Sequence, residues 1–287
     1  MANHSIVAQD LVYSYGDLKA VDHISFEVGE GEVLGYLGPN GAGKSTTVKM
    51  LTGQIRPKEG RATLLGMDVA KETNKVQEHI GVAFETTNLY EQMTAIENLN
   101  LFARLFGVKA DPMELLEKVN LETRGKERVS NFSKGMKQRL MIARAMVNNP
   151  RILFLDEPTE GLDPVSSESI RDLILETSSR GTTVFLTTHD MYEADKISDR
   201  VAFVNQGKIV ALDTPARLKR QYGQRVIKME IEKEDGEIDI REVPLDENGA
   251  ADTIKQIMET ENIVTMHTEE ATLEDIFIEI TGRGLVG

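Results

Sequence analysis

The 287-residue sequence predicts an α/β core followed by a small C-terminal α+β domain. Three observations lead there. The glycine-rich stretch "GPNGAGKST" lies between an apolar alternating segment and a helical one. Two short apolar runs, "RILFLDEP" and "GTTVFLTTHD", end in polar residues, the pattern of buried parallel strands whose carboxyl ends carry chemistry. Residues 224–287 alternate strand-like and helix-like segments in an acidic setting.

Taken in order, residues 6–37 alternate as strands in "IVAQDLVYSY" and "ISFEVGEGEVLGYL". The glycine-rich stretch breaks that pattern and opens a helix at Thr46–Leu51. Residues 94–149 read as helical, because "TAIENLNLFARLFGV", "MELLEKV" and "RLMIARAMV" space apolar residues three and four apart. After the two apolar strands, "RVAFVNQGKIVAL" reads as a hairpin turning at Asn205–Gly207. "LDTPARLKRQYGQ" reads as a short helix and then a joint, dividing the chain into 1–220 and 224–287. Past the joint, "RVIKMEIEKEDGEIDIREV" alternates as two strands around Asp235–Gly236. A helix at about 250–260, a strand "IVTM" and a helix "TLEDIFIEIT" come after it. In that last helix Thr272 and Asp275 are spaced to cap each other's backbone, and Leu273, Ile276, Phe277 and Ile280 form one apolar stripe.

Composition excludes several classes. The chain has no cysteine, so disulfides are ruled out and a reducing compartment fits. The start "MANHSIVAQD" lacks a basic segment followed by an apolar one, so no signal peptide is expected. No window approaches the roughly 18–20 apolar residues of a membrane helix, so any membrane role needs a partner. The net charge is −14, and residues 221–287 hold 17 acidic against 6 basic residues. An acidic chain without a basic stripe is a poor candidate for nucleic acid, and none is expected as partner.

Gly38, Gly43, Lys44 and Ser45 satisfy G-x-x-x-x-G-K-[ST] after a strand and before a helix, the context that gives the pattern weight. The candidate loop is Gly38, Pro39, Asn40, Gly41, Ala42, Gly43, Lys44, Ser45 and Thr46. Its glycines let backbone N–H groups close around a β-phosphate, Lys44 reaches the β- and γ-phosphates, and the Ser45 hydroxyl is placed to ligate Mg²⁺. In "ILFLDE" four apolar residues put Asp156 at a strand end, where it would hold Mg²⁺ through water while Glu157 orients or deprotonates the attacking water. The plainer reading of both carboxylates is a cap on the turn at Pro158; the phosphate loop weighs against it.

The ordered set "GPNGAGKST", "FSKGMKQRL", "ILFLDEP", "GLD" and "TTHD" resembles the ATP-binding subunit of an ABC transporter over about residues 5–220. "PTEGLDP", "FSKGMKQRL" and the tail "LEDIFIEITGRG" resemble in particular the drug-resistance-type (ABC-2) exporter ATPases, whose membrane half is a separate chain. The resemblance implies a P-loop NTPase (RecA-like) core with an antiparallel β subdomain and a helical subdomain at about 86–150. It implies ATP and Mg²⁺ as cofactors, ATP hydrolysis driving export, and a place at the cytoplasmic face of the membrane through a transmembrane permease subunit. It also implies a head-to-tail dimer with a second copy or a related ATPase, in which Ser133 and Gly135 face the γ-phosphate of the neighbour's nucleotide. The helix N-terminus behind those residues suits an anion whatever the family.

Further positions rest on the same resemblance. Tyr15 would stack on adenine, with Tyr13 as fallback, and His189 would contact the γ-phosphate and hold the attacking water. Asp163 would cross the dimer interface, and it also fits a turn before Pro164. Three positions depart from the family pattern. Glu85 stands where glutamine is usual beside the metal, where it would either ligate or weaken binding; Lys134 replaces a glycine and Met136 a glutamine. Residues 86–106, "TTNLYEQMTAIENLNLFARLF", are the candidate docking surface for the membrane partner, with packing of the helical subdomain as the competing role. The alternative function is a soluble ABC-type ATPase acting on ribosomes or DNA. Such proteins usually join two cassettes or insert a long coiled coil, and this sequence has neither.

Overall fold

The computed structural model describes residues 4–223, 225–233, 236–245 and 249–282. Contacts divide the chain into two compact units, Met1–Leu212 and Asp213–Gly287.

In the first unit β1 (His4–Tyr15), β2 (Leu18–Gly29) and β3 (Val33–Leu37) lead into α1 (Lys44–Leu51). β4 (Glu59–Leu64), β5 (Met67–Asp68), α2 (Thr73–Glu78) and β6 (Ile80–Ala83) come after it. Next are α3 (Ala95–Phe106), α4 (Pro112–Lys118) and α5 (Lys134–Ala145). The unit closes with β7 (Ile152–Asp156), α6 (Pro164–Ser179), β8 (Thr183–Thr188), α7 (Met191–Ile197), β9 (Arg200–Asn205) and β10 (Lys208–Asp213). Two sheets result: a four-stranded one in the order β2-β1-β4-β5, antiparallel throughout, and a six-stranded one in the order β10-β9-β3-β8-β7-β6.

Five consecutive strands of the larger sheet, β9-β3-β8-β7-β6, are parallel, and β3, β7 and β8 are buried at every residue. That is why they read as unbroken apolar runs. Phe26, Tyr36, Phe154 and Phe185 meet between the two sheets at ring-centroid distances of 5.2–5.8 Å. Burial pushes the Tyr36 hydroxyl's pKa upward, although it stays 3.3 Å from the Thr47 hydroxyl. A second core joins Leu99, Leu116, Leu140 and Ile142 of α3–α5 to Leu153, Val184 and Leu186 of the sheet.

The hairpin falls where the pattern places it, with Gln206 (φ 50°) and Gly207 (φ 77°) both left-handed, as a two-residue turn between right-twisted strands requires. The helical stretch differs from a continuous 94–149. α3 stops at the left-handed Gly107, Asp111 and Pro112 start α4, and 3₁₀ turns at Glu122–Arg124 and Val129–Asn131 precede α5. The loop helix begins at Lys44, two residues ahead of the stretch read from sequence.

The second unit contains α8 (Pro215–Tyr222), β11 (Arg225–Glu232), β12 (Ile238–Pro244), α9 (Ala250–Thr260), β13 (Asn262–Glu270) and α10 (Leu273–Thr281). Its strands pair antiparallel in the order β12-β11-β13. Met229, Ile231 and Val243 of the sheet form a core with Ala250 and Ile257 of α9. Thr272 and Asp275 form a reciprocal capping box on α10, whose Leu273, Ile276 and Phe277 are buried. The turn expected at Asp235–Gly236 lies partly outside the described residues, since Asp235 is not among them.

Candidate active site

Register builds the site. β3 pairs with β8 so that Leu37 lies opposite Thr188, β7 with β8 so that Asp156 lies opposite Thr187, and β6 with β7 so that Ala83 lies opposite Leu155. The carboxyl ends of four strands thus align, and the segments leaving them gather at one edge of the sheet. After β3 comes the glycine-rich loop, after β7 Glu157, after β8 His189, and two residues after β6 Glu85.

The loop itself is tight. Gly41 (φ 80°) and Gly43 (φ 105°) are left-handed, and a Cβ added at Gly43 would lie 2.3 Å from the Ala20 carbonyl oxygen. One at Gly38 would lie 2.2 Å from the carbonyl oxygen of Val204. The hairpin tip braces the loop, because the N–H of Gly207 donates to the carbonyl of Ala42 at 3.0 Å. Lys44 is buried; its ammonium donates to the Gly38 carbonyl at 2.6 Å and stands 3.1 Å from Glu157 Oε1.

Asp156 and Glu157 are buried too, and each is fixed by neighbours. Asp156 Oδ1 accepts from the hydroxyls of Thr187 and, at 3.4 Å, Ser45. Glu157 has a left-handed backbone (φ 49°), held by its N–H donating to the Thr187 carbonyl at 3.0 Å. Such a conformation in a non-glycine residue costs on the order of 1–3 kcal/mol and is concentrated at functional sites. Glu157 Oε2 is 2.9 Å from His189 Nδ1 and accepts from the His189 N–H at 3.3 Å. Oε1 has the Lys44 charge beside it but no donor correctly aligned, so a buried carboxylate oxygen is left without a hydrogen bond. An oxygen in that condition is costly unless a ligand, ion or water completes it.

The loop opens on a cleft of about 360 Å³, lined by Tyr15, Pro39, Asn40, Gly41, Gly43, Lys44, Ser45, Thr46, Glu85 and Glu157. Tyr15 is half-exposed at its rim, and the ring of Tyr13 meets it edge-on at 4.9 Å while itself packing against the core. The arrangement places Tyr15, not its fallback, at the cleft. Glu160, one turn beyond Glu157, also lines the cleft and has no counterpart in the sequence reading. Burial holds the Glu85 carboxyl above the usual carboxylate range, and the charges of Glu160, Asp156 and Glu157 add to that effect.

Ser133, Gly135 and Asp163 are not among the walls of this cleft. Ser133 caps α5 by accepting from the Met136 N–H at 3.2 Å, and Asp163 caps α6 through the N–H of Ser166 at 3.0 Å. The Ser166 hydroxyl and N–H together hold the Asp163 carboxyl below its ordinary range. A Cβ at Gly135 would lie 2.6 Å from Ser166 Oγ, so the two helix starts pack closely. Lys134 reaches back over its own chain, its ammonium 2.5 Å from where a Cβ on Gly161 would sit.

A phosphate loop, an acidic strand end and a histidine brought together by parallel register define a P-loop ATPase of the ATP-binding cassette class. The ABC transporter family matches residues 21–160. The fluoroquinolones export ATP-binding protein of Mycobacterium tuberculosis (strain CDC 1551 / Oshkosh) is 46% identical to this chain, over 93% of this chain and 89% of its own. Daunorubicin resistance ATP-binding protein DrrA2 of Streptomyces coeruleorubidus is 34% identical, over 99% and 97%. Among solved structures, the dimeric ATP-binding cassette MJ0796 bound to ADP and Pi after hydrolysis superposes with a TM-score of 0.66 at 27% identity, covering 73% of this chain and 98% of that one. The chain belongs to the ABC transporter family and is an ATP-binding, ATP-hydrolysing transporter subunit.

Proposed function

We propose that this subunit hydrolyses Mg²⁺-ATP at a seam between two copies and passes the motion to a separate membrane permease that exports a substrate. The chain Lys44–Glu157–His189 carries the reading, because it holds a buried carboxylate oxygen beside the phosphate loop, paired in charge with Lys44 yet without an aligned hydrogen-bond donor. The glycine loop and α1 N-terminus would cradle the β-phosphate, and Lys44 would pair with the β- and γ-phosphates. Ser45 and Asp156 would hold Mg²⁺, with Thr187 fixing the Asp156 carboxylate; the ion, once bound, offsets phosphate charge. His189 engages Glu157 Oε2, so Oε1 is the oxygen left to take a proton from the attacking water, worth about 10²–10⁴ in rate. Tyr15 would stack on adenine.

Ser133, Gly135 and Asp163 would complete the neighbour's site. Their absence from the walls of their own chain's cleft supports this, as does α5, whose first turn has no acidic residue to repel an anion. For the permease, the favoured dock is a groove of about 260 Å³ lined by Phe84, Asn88, Phe102, Phe106 and Arg144. Arg144 is buried there, donates to the Asn88 carbonyl at 2.8 Å and lies over the Phe102 ring; burial pulls its pKa down to about 10. Tyr90, Leu105 and Phe106 are exposed, whereas Ala95, Leu99 and Ala103 pack inward, so burial leaves residues 86–106 compatible with docking as well as packing. Among the described residues no helix is long and apolar enough to cross a membrane; the permease would hold the subunit at the cytoplasmic face.

Glu157→Gln tests the reading. With Mg²⁺ and excess ATP the variant should bind nucleotide as the wild type does, hydrolyse it about 10²–10⁴ times more slowly, and accumulate as a dimer in light scattering. Monomer alone under those conditions would count against the seam.

A further inference from the structure

Glu193 is buried and has no part in the cleft described above. It is the third residue of α7, three after the Asp190 N-cap, which is the spacing of a reciprocal capping box. Only half of that box forms. Asp190 Oδ1 accepts from the Glu193 N–H at 3.0 Å, but the Asp190 N–H donates to the Thr188 hydroxyl at 2.9 Å instead of to Glu193. The Glu193 carboxylate turns inward. Its Oε2 accepts from the buried Thr159 hydroxyl, and its Oε1 accepts from Arg171 Nη1 of α6 at 2.6 Å. A buried carboxylate is costly unless it is paired and hydrogen-bonded; here Arg171 supplies the charge and Thr159 a second donor.

These partners link the two segments that carry the site. Thr159 lies two residues after Glu157, in a turn where the Glu160 N–H donates to the Glu157 carbonyl at 3.3 Å and the Leu162 N–H to the Thr159 carbonyl at 3.2 Å. Glu193 lies on the helix that starts directly after His189 and Asp190. The segments are therefore bridged twice: Glu157 Oε2 meets His189 Nδ1 at 2.9 Å, and Thr159 meets Glu193 away from the cleft, whose walls include neither. We propose that Glu193 is a positioning residue for ATP hydrolysis, holding Thr159 against α7 and thereby setting Glu157 and His189 in place relative to each other. The proposal rests on the roles given above to Glu157 and His189. Glu157 needs such a hold because its left-handed backbone (φ 49°) is strained, and a strained residue persists only where its surroundings over-determine it. A displacement of about 1 Å at a reacting group costs on the order of 10²-fold in rate. The phosphate loop leaves a different strand, β3, so its grip on the nucleotide does not depend on this second bridge.

The test is steady-state ATP hydrolysis by Thr159→Val, Thr159→Ser and Glu193→Ala. Rates are compared well below each variant's melting temperature, because Thr159→Val strands a buried carboxylate oxygen. Thr159→Val and Glu193→Ala should lower kcat about 10–100-fold while KM for ATP moves by less than about threefold. Thr159→Ser keeps the hydroxyl and should stay within about threefold of the wild-type kcat. In a Glu157→Gln background, adding Thr159→Val should slow the residual hydrolysis by less than about twofold, because the carboxylate to be positioned is gone. Wild-type kcat in Thr159→Val would overturn the proposal, and so would a Thr159→Ser as slow as Thr159→Val. A KM that rises as far as kcat falls, or the full loss repeated in the Glu157→Gln background, would also overturn it, leaving Glu193 as a brace of the fold alone. The roles of the site residues fail separately. If Glu157→Gln by itself hydrolyses ATP at the wild-type rate, Glu157 has no part in the reaction and the proposal falls with it.

Discussion

Gly43 carries two constraints at once, a left-handed backbone and a carbonyl oxygen where a methyl group would go. Gly41 carries only the first, since nothing lies within 4 Å of its would-be Cβ. Gly41→Ala should therefore cost about 1–2 kcal/mol of strain, and Gly43→Ala clearly more, because the Ala20 segment must also shift. Thermal unfolding of the two variants checks this; equal shifts would mean the Ala20 contact is immaterial. The residues proposed to bind phosphate were legible in the sequence because each sits in a contiguous stretch whose context is local. Thr187 and Glu160 were not. Thr187 acts on Asp156 only because parallel register sets them side by side, and in sequence it looks like one more β-branched strand residue. Glu160 looks like a polar loop residue until the turn after Glu157 aims it at the cleft.

At the scale of an element, one serine of α5 has a role that the structure shows and a second that we propose. Ser133 caps its own helix, so Ser133→Ala should cost about 1 kcal/mol by loss of the Met136 N–H bond alone. Ser133→Asp keeps a capping oxygen and adds a charge that the helix dipole favours, so stability should hold or rise by about 0.3–1 kcal/mol. That carboxylate would nevertheless occupy the place of the neighbour's γ-phosphate, and turnover should fall about tenfold or more while each chain still binds ATP. Wild-type turnover in Ser133→Asp, measured beside chemical denaturation, would leave the serine as a cap and nothing else. The helices differ in how much of them the sequence disclosed. α10 was readable to the residue because Thr272 and Asp275 are themselves the start signal. The run from 94 to 149 showed its apolar spacing but not its breaks. Those depend on the left-handed Gly107, the Asp111–Pro112 start and two 3₁₀ turns, none of which disturbs the apolar period.

For the whole molecule, the site is a product of strand order. β3, β6, β7 and β8 supply it in sequence order, but they stand as β3-β8-β7-β6, which sets the end of β8 that carries His189 between the ends of β3 and β7 and brings both Lys44 and His189 against Glu157. Motif order signalled the family, whereas spatial order had to come from the structure. The same arrangement leaves Ser133, Gly135 and Asp163 outside the cleft their own chain provides. If two copies close the seam, a loop defect and a grip defect must complement each other. Lys44→Ala chains lack a working phosphate loop but retain Ser133; Ser133→Arg chains have the reverse. Each variant alone forms dimers in which both sites are defective, and each should be inactive. Mixed at equal concentration, random pairing makes half the dimers hybrids, and each hybrid has one intact site of its two. Activity should return to about a quarter of the wild-type rate, provided the two sites turn over independently. The recovered rate should fall with dilution as the dimers separate. A mixture no more active than its two components would mean that Ser133 works on the nucleotide of its own chain, and the seam would have to be abandoned.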